Sequence, residues 1–165
     1  MLVRGVDGCK AGWLCISQHS DTSAVTFTVA PDAATLLKGQ SAAVTAIDIP
    51  IALPTTSPRL CDREARSLLG ARRSSVFAAP MYAALEAESY ASACAANERM
   101  SGKRLSAQSY ALLPKIREVN KLVRSSRALL STVWEVHPEV SFCFWNHSHP
   151  MAHPKKSGFG FLERK

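Results

Sequence analysis

The first fifty residues constrain the fold more than any other stretch. Apolar runs at 2–6, 12–17 and 25–29 follow one another across polar turns too short to hold a helix. The first run closes on Asp7-Gly8, the turn to the second is Cys9-Lys10-Ala11, and the third alternates as Val-Thr-Phe-Thr-Val. Runs this close, with period-two alternation, pair as an antiparallel meander. Pro31 and Asp32 then open a helix to about Lys38, which Gly39 ends. The next run, 43–49, is partly β-branched and reaches Asp48-Ile49-Pro50, the pattern of a buried strand whose carboxylate emerges at its C-terminal edge.

From Pro58 the texture turns helical. Leu60, Ala65, Leu68 and Leu69 make an apolar stripe, with Arg59, Arg63 and Arg66 on another face, and Gly70 stops the helix. An Ala- and Glu-rich helix is expected over 82–100. Another is expected over 105–127, with Ile116, Val119 and Val123 inward and Pro114 either bending it or marking its start. Residues 131–136 are again β-branched and aromatic, a strand leading into Glu135-Val-His-Pro-Glu139. A short aromatic segment, a His/Pro loop and a basic helix complete the chain. This order, β-β-β-α-β, inserted helices, then β-α, predicts an α/β fold. It has a mixed central sheet with helices on both faces and a helical insertion after the fourth strand.

With 165 residues, 47% of them hydrophobic and 20% charged, the chain has the balance of one domain over 1–165. Its longest apolar stretch, 42–53, is interrupted by Asp48 and Pro50 and falls well short of the roughly 20 residues of a membrane span. The N-terminus enters a polar turn with no signal-peptide core, so a cytoplasmic location is expected. Five cysteines without a C-x-x-C pair point to reduced thiols rather than a disulfide framework or zinc knuckle. Twenty Lys and Arg against thirteen Asp and Glu give a net charge of +7, which favours polyanions, nucleic acid foremost, through phosphate neutralisation.

Asp7 and Asp48 each stand at a predicted strand end, forty-one positions apart. If those strands are neighbours, the two acids converge and can hold Mg²⁺ or Mn²⁺, which take one or two carboxylates plus substrate phosphates. An Asp before Gly is also a common turn former. Glu139 is the preferred third acid, with Pro138 fixing the backbone before it, and Glu135 is the alternative. Glu139 can equally begin a helix at its positive end. His137 reads either as a proton shuttle or as a strand-end histidine satisfied by backbone. Arg72 and Arg73 with Ser74 and Ser75 form the densest basic region, able to position phosphates. Arg59 and Arg63 read as a solvated face paired with Asp62 and Glu64. His147, His149 and His153 invite a zinc reading, but the prolines among them fit a loop better.

Six segments carry a resemblance. They are Gly5-Val-Asp-Gly-Cys-Lys-Ala-Gly-Trp13, Ile47-Asp-Ile-Pro-Ile51, Cys61-Asp-Arg-Glu-Ala-Arg66, Leu69-Gly-Ala-Arg-Arg-Ser-Ser-Val-Phe77, Pro114-Lys-Ile-Arg-Glu-Val119 and Glu135-Val-His-Pro-Glu-Val-Ser-Phe142. In order, over nearly the whole chain, they resemble the signatures of the predicted RNase H-like nucleases, domain of unknown function 429. The resemblance implies an RNase H-like fold with Asp7 and Asp48 as candidate metal ligands, and so a predicted metal-dependent nuclease, for which Glu139, preferred from its position after Pro138, is the further candidate catalytic acid. Lys10, Arg66, Arg72, Arg73, Lys115 and Lys155 are then candidate substrate contacts, as basic residues in or beside these segments. Relatives continue past the position of Lys165 into helices, one with another acid. A catalytically impaired nucleic-acid or nucleotide-binding module is therefore the alternative. The apolar stripe of Phe159, Phe161 and Leu162 predicts a homodimer that covers it.

Overall fold

A computed structural model describes residues 1–39 and 41–165. Strands β1 (Leu2–Cys9) and β2 (Gly12–His19) form a hairpin in register from Leu2 opposite His19 to Cys9 opposite Gly12. The strand thus runs three residues beyond the apolar segment, carrying Asp7 inside it. Gly12 is required here. Its φ of 124° is closed to other residues, and a Cβ would collide with the carbonyl oxygens of Ala30 and Pro31. Strand β3 (Val25–Ala30) pairs antiparallel with β2. Asp32 caps α1 (Ala33–Leu37) by accepting from the Thr35 amide at 2.7 Å.

After α1, β4 (Val44–Ile47) returns parallel to β1, and β5 (Val133–Glu135) adds parallel to β4. The sheet order is β3-β2-β1-β4-β5, a mixed five-stranded α/β sheet. Between β4 and β5 lie α2 (Leu60–Leu69), a 3-10 turn over Gly70–Ser75, another at Tyr82–Ala84, α3 (Tyr90–Ser101), α4 (Ala107–Arg124) and α5 (Arg127–Thr132). The expected 82–100 helix is therefore two pieces, because Ser89 and Ser92 form a reciprocal cap that starts α3 afresh. The strand expected over 131–136 keeps three residues, since Ser126 caps α5 and draws 127–132 into helix. Pro138 opens α6 (Pro138–Trp145), where a hydrogen-bond donor is dispensable. Ser157 caps α7 (Gly158–Glu163).

The core lies on one face of the sheet. Val6, Trp13, Cys15, Ile47 and Val133 are buried against Leu36 and Leu37 of α1 and Leu113, Ile116, Val119 and Val123 of α4. Pro114 sits within α4 on its exposed side, where the missing hydrogen bond, worth about 3 kcal/mol, is offset by the buried face. On the opposite face Ile16, Val25, Phe27, Val29, Val44 and Trp134 remain exposed. Helices on both faces were expected, but among the described residues α1 and α4 take the same side. Helices α2 and α6 pack on each other around Leu69, Val76 and Cys143. No helix among the described residues is long and apolar enough to cross a membrane.

Candidate functional site

The parallel register brings the two aspartates together. Val6 pairs with Ile47, and the Asp48 amide donates to the Val6 carbonyl at 3.1 Å, so Asp7 and Asp48 leave adjacent strands at the same level and on the same side. Ile47 also pairs with Glu135, and the Val136 amide donates to the Ile47 carbonyl at 3.0 Å, which delivers His137 to the same edge. Asp7, Asp48, Arg72, His137, Glu139 and Lys155 border one cleft of about 800 Å³.

The turn after Asp48 is held from three sides. Asn120 of α4 donates to the Pro50 carbonyl at 2.8 Å and accepts from the Ala52 amide at 3.2 Å, where Ala52 has a φ of 55°. Glu135 accepts from the Ile51 amide at 2.8 Å, and Arg59 donates to the Ile51 carbonyl at 3.0 Å. The Arg59 guanidinium also reaches Asp62 at 2.5 Å and Glu135 at 2.6 Å. Arg59, read from sequence as part of a solvated face, is instead a buried bridge between two carboxylates, which hold its proton above the ordinary arginine range against the cost of burial. Arg63 does lie in solvent, 3.8 Å from Glu64.

Electrostatically the acids divide. Burial pushes the Asp48 proton above the usual carboxylate range; the Asp7 and Glu135 charges push the same way, while His137 and Lys155 oppose them. Glu139 is buried in the first turn of α6 and paired with Arg164 at 2.7 Å and Arg72 at 3.8 Å. His137 is fixed through Nε2, which donates to the Ser75 carbonyl at 2.9 Å, leaving Nδ1 buried and without a partner. The Arg72 Nε is likewise buried and unpartnered. Both residues border the cleft, although the two atoms themselves are buried.

The other basic candidates scatter. Lys155 reaches the cleft. Lys115 does not line it: its Nζ donates to the Gly12 carbonyl at 2.6 Å and lies 4.6 Å from the Trp13 ring centroid. Arg66 donates to the Val76 carbonyl at 2.6 Å, and Lys10 and Arg73 are exposed outside the cleft lining. The histidines of the 147–153 loop do not converge on a metal; His153 stacks on Phe159 instead. Among the described residues no group of three or more His, Cys, Asp or Glu is placed to hold an ion.

A model of the family described as "Protein of unknown function (DUF429)" matches residues 5–165. The chain belongs to the DUF429 family. Neither curated proteins nor solved structures yielded a match. The matched span includes every residue bordering the cleft, so Asp7, Asp48, His137 and Lys155 all lie within the DUF429 domain. Asn120 and Arg59 were not singled out from sequence as shaping this site. Asn120 had a signal: it interrupts the apolar stripe of α4 between Val119 and Val123, where a buried amide needs partners.

Proposed function

We propose that this chain is a metal-dependent phosphodiesterase of RNase H-like fold, acting on nucleic acid in the cytoplasm. The observation that carries the reading is the juxtaposition of Asp7, within β1, and Asp48, just past the end of parallel β4, with no ion-pair partner for either among the described residues. A three-stranded meander extended by two parallel strands in the order 3-2-1-4-5 agrees with the topology that the family resemblance implies. The charge of +7 supports a polyanionic substrate.

The donor set suits Mg²⁺ or Mn²⁺. Two hard carboxylate oxygens with open space before them match ions that keep several waters and accept phosphate oxygens, and the mutual repulsion felt at Asp48 is relieved by a cation. Such an ion, when bound, supplies an activated water and charge stabilisation at the phosphate. The chain's own groups then orient the substrate. Arg72 and Lys155 offer donors to phosphate oxygens, and His137, its ring oriented by the Ser75 carbonyl, stands beside them at the cleft.

The test is incubation of the pure protein with labelled single-stranded, duplex and hybrid substrates in Mg²⁺ or Mn²⁺. Cleavage that disappears in D7N and D48N supports the reading, and cleavage unchanged in both removes the site assignment. One observation favours a second reading, a nucleic-acid or nucleotide-binding module without chemistry. Both candidates for a third acid, Glu135 and Glu139, are engaged by arginines. Salt-dependent binding with no turnover in either metal selects that reading.

A further inference from the structure

The edge strand β3 contains Val25-Thr26-Phe27-Thr28-Val29, a sequence that reads the same in both directions about Phe27. Its inner side pairs with β2 without a bulge from Val25 to Ala30, and the sheet order leaves its outer side as an edge. All five residues are exposed, Phe27 to 79%. Residues 22–31 hold no ionisable side chain. Edge strands are ordinarily protected by lysine, an inward charge, a bulge or a mid-strand proline. This one has none of these, and its β-branched and aromatic composition suits strand pairing.

We propose that β3 pairs antiparallel with β3 of a second copy of the chain, about a twofold axis at Phe27. The palindrome argues for a second copy rather than a foreign strand. A twofold places Val25 opposite Val29, Thr26 opposite Thr28 and Phe27 opposite Phe27, so every cross-strand pair joins like residues of a favourable kind. An isologous contact needs this self-complementarity, whereas pairing with an unrelated strand gains nothing from it. The chain's positive charge does not oppose the contact, because the ionisable residues nearest in sequence on either side are Asp21 and Asp32. Five exposed residues on each partner bury roughly 1,000 Å² in total, the size of weak and transient interfaces. The dimer is accordingly weak, with a Kd on the order of 10 µM. It extends the sheet to ten strands and leaves the cleft at β1 and β4 open, so it stands independently of the proposed activity.

Sedimentation velocity from about 1 µM to about 1 mM is expected to show a reversible monomer–dimer equilibrium. F27K sets two ammonium groups opposite each other and weakens the dimer at least about tenfold. The F27C variant, mildly oxidised at a dimer-forming concentration, gives a disulfide-linked dimer beyond any formed by the native chain. T26C, whose cross-strand neighbour is Thr28, gives none. A monomer throughout the range overturns the proposal. So does a dimer that F27K leaves intact, which places the interface elsewhere, as at Phe159, Phe161 and Leu162 of α7. Circular dichroism checks the fold of F27K. If that variant does not fold, the F27C result decides, and absence of the cross-link overturns the proposal.

Discussion

Two pairs of carboxylates border the same cleft in opposite surroundings. Glu135 and Glu139 are clamped: Arg59 holds the first at 2.6 Å, Arg164 the second at 2.7 Å, and the arginine side chains are themselves nearly buried. Asp7 within β1 and Asp48 just past the end of β4 stand side by side without an ion pair among the described residues, and the Asp7 charge adds to the burial that disfavours ionisation of Asp48. A neutralised acid with its hydrogen bonds filled is part of the scaffold, and its removal is felt as stability. An unneutralised pair gives the folded chain nothing and costs it some repulsion, which the proposed cation would relieve.

The largest effect expected from this difference is on activity. D7N and D48N each lower metal-dependent cleavage at least about 100-fold, with the fold retained by circular dichroism. E139Q tests the other side. If it lowers cleavage equally while its melting temperature stays native, Glu139 belongs with the aspartates and the division between the pairs is broken.

Stability is expected to move the other way. Replacing Arg59 by Met leaves Asp62 and Glu135 without their cation and frees the Ile51 carbonyl, at a cost of about 3–5 kcal/mol, readable by urea denaturation. E139Q keeps the shape but leaves Arg164 and Arg72 facing an amide, a loss of about 1–3 kcal/mol. A loss in E139Q well under that, measured the same way, would show that the Arg164 pair is solvated rather than structural.

The sheet and the aspartate pair were legible because both follow from local rules. Apolar runs across short turns marked β1 and β2, alternation marked β3 and a buried β-branched run marked β4, and a single crossover at α1 sets β4 beside β1, which puts Asp7 and Asp48 together. The partners of the glutamates were not legible. Arg164 lies 25 positions from Glu139 and Arg59 lies 76 from Glu135, and no helical or strand spacing links such residues. Arg59 in particular carries its i+3 partner Asp62, which reads as an exposed helical pair; burial came from the 50–52 turn folding over it. The boundary errors have the same origin in capping: Ser89 and Ser126 begin helices inside stretches whose apolar pattern reads as continuous.

The smallest effect is thermodynamic and separates the two pairs by pH. The folded-state proton of Asp48 is held above the ordinary carboxylate range, chiefly by burial. Below that range Asp48 is protonated in both folded and unfolded chains and contributes nothing to the pH slope. As pH rises from the ordinary value through the raised one, the unfolded chain releases its proton first. The unfolded state then binds fewer protons than the native state, and stability falls with pH until folded Asp48 is also ionised. Above that point the penalty is constant. D48N, which has no proton to lose, is therefore expected to melt slightly higher than the native chain at neutral pH, the advantage vanishing at low pH. Millimolar Mg²⁺ or Mn²⁺ is expected to raise the native melting temperature at neutral pH, through preferential binding to the folded state, and to leave D48N less affected. A native chain whose melting point ignores both D48N and divalent ions would mean that Asp48 is screened by solvent, and that the aspartate pair is no more frustrated than the glutamates.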